Sequence, residues 1–222
     1  MSDKARFRYS KTGRAKYISH LDLLAAMRRA LLRAGVELKY SEGFNPHPYL
    51  SVALPLSVGI GSRCELMDVG LAAGLQRDGV PEMVNGVLPE GLSIIETYTP
   101  ERKFNDIAWI EIDGILYYDA GAPRDAAQRL AERFERSPII VPKKTKTGLI
   151  DTDISPAIRS IRFISAENPA EIAVTGMVSA QAPSLNPEYL IAALMGEYET
   201  LKPDYSSFIR TEVFDKDMNV FR

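Results

Sequence analysis

Lys4-Ala5-Arg6-Phe7-Arg8-Tyr9-Ser10, followed by Ser19-His20-Leu21-Asp22-Leu23-Leu24, is the stretch on which the fold reading turns. Arg6 and Arg8 alternate with Phe7 and Tyr9, a period of two that predicts a strand. Phe7 and Tyr9 are expected to face helices, and Arg6 and Arg8 to face outward or pair with Asp68. Lys11-Thr12-Gly13-Arg14 reads as a turn. Ser19 then opens a helix with Asp22 three residues on, a capping-box-like spacing. Leu21, Leu24, Met27 and Leu31 form its apolar stripe, and Gly35 closes it.

Working outward, strands are expected at Glu37–Tyr40, Leu50–Val58, Cys64–Leu71 and Leu92–Thr99, with a short helix over Pro81–Val87. The order strand, helix, strand, strand, helix, strand is the split β-α-β arrangement of ferredoxin-like units. It ends at residue 99, and Pro100-Glu101-Arg102-Lys103 reads as a linker. The second half reads the same way. Strands are expected at Ile107–Asp113, Pro138–Pro142, Ile158–Ser165, Glu171–Val178 and Phe208–Phe214. Helices are expected over Pro123–Glu135 and after the Asn186 cap. The expected class is α+β: two tandem ferredoxin-like units with antiparallel sheets, over residues 1–99 and 104–222. The second carries a long basic excursion at 143–157.

Composition excludes several classes. The 222 residues include one cysteine and two histidines, so no disulfide framework or thiolate metal centre fits within the chain. No apolar run approaches the roughly 18 residues of a membrane span. Met1-Ser2-Asp3-Lys4 lacks the apolar segment of a secretory signal. A cytoplasmic chain with no cofactor, metal or membrane partner is expected.

The net charge of −2 hides an asymmetry: residues 1–50 hold ten basic and four acidic groups, a charge of +6. Such a segment suits a polyanion, or packs on an acidic half. Candidate anion-binding cations are Arg6, Arg8, Lys11, Arg14, Lys16, Arg29 and Arg33, joined by Lys143, Lys144 and Lys146 in the second half. Lys11, Arg14 and Lys16 frame Gly13 just ahead of a helix N-terminus, where free amides favour anions.

Tyr40-Ser41-Glu42-Gly43-Phe44-Asn45-Pro46-His47-Pro48 is the most unusual segment. Prolines stiffen it, and rigid loops bearing polar side chains are where sites are built. Gly43, Phe44, Asn45 and His47, with Ser19, His20 and Asp22, are the candidate site residues. The alternative is a packed connection, with Phe44 buried and His47 bonded to a backbone carbonyl. His20, in the first turn of a helix, and His47 are candidates for general acid–base cleavage of RNA.

Tyr17-Ile18-Ser19-His20-Leu21-Asp22-Leu23 through Arg28-Arg29-Ala30-Leu31, then Tyr40–Pro48, resembles a bacterial radical-SAM-linked domain of unknown function. Ala53-Leu54-Pro55-Leu56-Ser57-Val58-Gly59 and Glu65-Leu66-Met67-Asp68-Val69 continue the resemblance. It implies a radical-SAM protein as partner. It points to RNA (tRNA or rRNA) through the ribonuclease and ribosomal-protein genes that tend to lie near its members. The chain has no Cys-x-x-x-Cys-x-x-Cys, so it cannot carry that cluster itself. The reading is therefore a non-catalytic, RNA-binding or RNA-presenting partner. The alternatives are a metal-independent endoribonuclease using His20 or His47, and a protein–protein adaptor docking through the Phe44 loop.

Overall fold

The computed structural model describes residues 4–72, 79–145, 148–181 and 183–222. The chain is mixed α+β and divides into two compact units. One ends at Asp106 and includes Arg222, and the other is Ile107–Phe221. Among the described residues, no helix is long and apolar enough to cross a membrane.

The first unit runs β1 (Lys4–Lys11), α1 (His20–Arg33), β2 (Leu50–Val52), β3 (Gly61–Gly70), α2 (Val80–Asn85) and β4 (Leu92–Tyr98). The strands are ordered β4-β1-β3-β2, every pair antiparallel. Phe7 and Tyr9 do face the helices, in a core with Leu23, Met27 and Leu31 of α1, Met67 and Val69 of β3, and Val80 and Val84 of α2. Helix α1 starts where its cap dictates: Ser19 Oγ accepts from the Asp22 amide at 3.2 Å and donates to Asp22 Oδ2 at 2.7 Å. It stops at Gly35, whose φ of +72° is the left-handed cap.

Some expected strands are shorter. The stretch 37–40 makes only isolated bridges, Leu38 to Leu71 and Tyr40 to Pro48. Leu50–Val58 is a strand only through Val52, with the Ala53 amide still donating to Leu66 O at 2.9 Å ahead of Pro55, which has no amide to give a ladder. The Gly13–Tyr17 turn is a 3-10 helix tied to the far turn by Thr12 N donating to Gly91 O at 2.8 Å. Gly91 has φ +86°, and a Cβ there would lie 2.4 Å from Thr12 O. Only glycine fits that approach.

The second unit runs β5 (Ile107–Tyr117), α3 (Ala126–Glu135), β6 (Ile140–Thr145), β7 (Gly148–Asp153), β8 (Ile158–Ser165), β9 (Glu171–Ser179), α4 (Glu188–Ala192) and β10 (Tyr205–Asp215). Its main strands are ordered β10-β5-β9-β8, again all antiparallel. Helix α3 covers β8, with Phe134 and Phe163 rings 5.3 Å apart. Asn186 caps α4 through Oδ1 accepting from the Glu188 amide at 3.1 Å. The strand expected at Pro138–Pro142 is the start of β6, which lies off the main sheet and pairs antiparallel with β7 of the expected excursion at 143–157 in a second, two-stranded sheet. Asp153 pins its base, Oδ1 accepting from the Ile139 and Ser155 amides at 2.9 Å and the Ser155 hydroxyl at 2.8 Å. The Ser155 donors hold the Asp153 carboxyl below the usual carboxylate range, although it is scarcely buried.

Candidate nucleic-acid interface

Three of the expected surface cations turn inward. Arg6 is 1% exposed. Its Nε lies 2.7 Å from Asp68 Oδ1, its Nη2 donates to Asp68 Oδ2 at 3.1 Å and to Arg102 O at 2.9 Å, and its guanidinium stacks 4.3 Å over Phe104. The segment expected as a linker therefore covers the face that Arg6 was expected to present. Arg8 pairs with Glu96 at 3.5 Å, and Arg222 reaches the same carboxylate at 3.4 Å. Burial beside this cluster pushes the Tyr98 hydroxyl up to about 12, against the pull of Arg6 and Arg222. Lys11 is 2% exposed and donates to Ile18 O at 3.1 Å. Burial holds its ammonium below its usual range, with Glu65 opposing. These three contribute to packing rather than to an open surface.

The anion site expected ahead of α1 is also filled from within. The Ala15 amide donates to Thr12 O, the Ile18 amide to Ala15 O, and Asp22 sits at the helix start. Arg14 and Lys16 remain at the surface, Lys16 Nζ lying 5.1 Å over the exposed Tyr17 ring. At the other end of α1, Arg29 and Arg33 line a groove of about 270 Å³ whose floor is Ala26, Val87, Leu88 and Pro89. Arg33 is positioned there by donating from Nη2 to Val87 O at 2.9 Å. Pro89, Glu90 and Gly91 link this groove to the Arg14–Lys16 turn, since Gly91 accepts from Thr12.

The Tyr40–Pro48 loop is braced. Ser41 N donates to His47 O at 2.9 Å, and His47 N to Ser41 Oγ at 3.1 Å. His47 Nδ1 lies 3.0 Å from Ser41 Oγ and 3.3 Å from Asn45 O. His47 thus sits within reach of a backbone carbonyl, but Phe44 is not buried: its side chain stands fully in solvent beside Gly43, at φ +116°. His47 also lines a cleft of about 240 Å³ with Lys4, Tyr49, Ser51 and Asp68. His20 is not among that cleft's residues, and its Nδ1 is buried with no hydrogen-bond partner among the described residues. No hydrogen bond joins His20 to His47 among the described residues. No cluster of His, Cys, Asp and Glu suited to a metal occurs among the described residues.

In the second unit, Lys143 Nζ donates to Ser184 O at 3.5 Å and lies 5.7 Å over Tyr189. Lys144 is exposed, and Lys146 lies outside the described residues. Sequence reasoning missed Glu96 and Phe104 as cation partners and Val87–Pro89 as the groove floor. Arg29 and Leu88 are far apart along the chain, and no spacing signal joins them.

No curated protein matches this sequence. Among solved structures, a Cbf5-Nop10-Gar1 complex is similar at 12% identity and a TM-score of 0.49, over 96% of this chain and 50% of that one. An H/ACA RNP bound to a substrate RNA containing 2'-deoxyuridine is similar at 9% identity and a TM-score of 0.46, over 93% and 46%. This chain thus spans about half the length of these structures. A family model described as an uncharacterized protein conserved in bacteria (DUF2344) matches residues 4–187. With most of its length inside that match, the chain belongs to the DUF2344 family.

Proposed function

We propose that this chain is a non-catalytic, cytoplasmic RNA-binding partner of a radical-SAM enzyme, built from two ferredoxin-like units. The strand orders β4-β1-β3-β2 and β10-β5-β9-β8 support the fold reading, each being a split β-α-β arrangement. The observation that carries the RNA reading is the Arg29–Arg33 groove. Two guanidinium groups flank an apolar floor of Val87, Leu88 and Pro89, a setting for a phosphate beside a stacked base. The Arg14–Lys16 turn, joined to the groove through Pro89–Gly91, extends the track. The radical-SAM partner rests on the resemblance through residues 17–31 and 40–48.

Binding of bulk tRNA and rRNA fragments at several salt concentrations tests the reading. Four phosphate contacts on a single strand give a slope of log K against log salt of about −3. Removing two of them in Arg29→Ala/Arg33→Ala halves that slope to about −1.5. Absence of binding at low salt removes the RNA reading.

A protein–protein adaptor is the second reading, favoured by the solvent-exposed Phe44 on its braced loop. Capture of the radical-SAM protein that drops with Phe44→Ala supports it. Undiminished capture by that variant counts against the loop as the contact.

A further inference from the structure

We infer that β7 is a docking edge for an extended peptide strand of a partner protein, with a basic residue set opposite Asp151. This goes beyond the RNA reading and uses none of its residues. Among the described residues β7 pairs only with β6, so its second edge is open. The Ile154 amide donates to Ile139 O at 2.9 Å, which sets the alternation of the ladder. Val141–Thr152 and Lys143–Ile150 are then the hydrogen-bonded pairs of the register. Leu149, Asp151 and Asp153 consequently turn their amides and carbonyls toward the open edge.

The two edges of this small sheet differ. On β6 the outward positions include Pro142, which has no amide and blocks strand addition. On β7 no proline or lysine guards the edge, and Leu149 and Ile150 are 72% and 51% exposed. Natural proteins protect exposed edges, and an unprotected apolar one is a template for another strand. Asp153 fixes the base of the hairpin through three hydrogen bonds, so the edge is presented already extended.

Charge selects the occupant. Leu149 and Asp151 share one face of the strand, and Asp151 is exposed. A strand with a β-branched residue opposite Leu149 and Lys or Arg opposite Asp151 satisfies both. A second copy of this chain fits poorly. The antiparallel register that joins the outward-facing Leu149, Asp151 and Asp153 of two copies pairs residues 149–153 with themselves and sets Asp151 against Asp151, and a six-residue strand falls well short of the roughly 1,200 Å² of a stable dimer.

The probe is acetyl-Thr-Val-Lys-Val-Thr-amide, titrated into the isotope-labelled full chain and followed by backbone amide shifts. We expect shifts confined to residues 148–153 and affinity about fivefold above that of the Glu-for-Lys peptide. Methylating the peptide's central backbone nitrogen should abolish the shifts. Asp151→Lys, an exposed change that leaves the core intact, should reverse the preference between the two peptides. Equal binding of both peptides, or no shift in 148–153 at millimolar peptide, overturns the proposal. So does a dimer in sedimentation that is lost in Asp151→Lys, or RNA protecting the same amides without any response to peptide.

Discussion

Asp68→Ala is the most informative single change in the first unit, because it leaves the Arg6 guanidinium buried with its carboxylate partner gone. Arg6 is 1% exposed and holds Asp68 through contacts of 2.7 and 3.1 Å. Removing one member of a buried ion pair costs about 3–5 kcal/mol, since the survivor keeps its desolvation penalty. Asp68 is 20% exposed, and the Arg102 carbonyl and Phe104 ring still accept the cation. Those remaining contacts place the loss at the lower end, about 3 kcal/mol. With a urea dependence of about 2 kcal/mol per molar, the midpoint of the first unit falls by about 1.5 M. Far-UV circular dichroism follows the transition, and hydrogen exchange of β1 and β3 amides assigns it to this unit. Arg6→Met/Asp68→Leu removes both charges and should unfold no earlier than wild type. A loss under about 0.5 kcal/mol in Asp68→Ala would show that solvent, not Asp68, satisfies Arg6.

Gly91→Ala should cost about 2 kcal/mol or more, since it combines a left-handed backbone with a Cβ driven into Thr12 O; thermal unfolding measures it, and an unchanged midpoint contradicts the packing described. Ultraviolet titration should find Tyr98 and Tyr118 still protonated past the ordinary value of 10.0, ionising only near about 12. Because the unfolded chain releases these protons first, stability should fall as pH rises from about 10 toward 12, and Tyr98→Phe or Tyr118→Phe should shrink that fall. At neutral pH Tyr118→Phe costs about 1 kcal/mol, because its hydroxyl donates to Leu201 O at 2.8 Å, whereas Tyr98→Phe deletes a hydroxyl with no hydrogen-bond partner among the described residues and should cost less.

Local chemistry made some elements readable from sequence alone. Ser19 and Asp22 announce the start of α1 and Gly35 its end, because capping is a matter of residues three or four apart. The alternation of Ile158–Ser165 and Glu171–Val178 across Asn168-Pro169 likewise marks a hairpin, which β8 and β9 form. Tertiary facts stayed hidden. Alternation assigns Arg6 to the face opposite Phe7, but only folding reveals that Phe104 and Arg102 cover it. Of the β6–β7 hairpin only Pro138–Pro142 read as a strand, because the lysines and aspartates beyond it read as a solvated loop and their regularity comes from pairing. Of the candidate site, the cations of α1 were visible in sequence. The groove they line was not, because its floor comes from residues 87–89.

The inward turn of Arg6, Arg8 and Lys11 changes what the charge count of the first fifty residues means. Their fields are met by Asp68, Glu96 and Glu65 within the same unit, so a distant polyanion senses far fewer positive charges than the composition implies. Long-range steering is correspondingly weak, and encounters should be frequent only at high ligand concentration. Discrimination then falls to the last few ångströms of approach, where the shape of a shallow furrow matters more than the number of lysines and arginines around it.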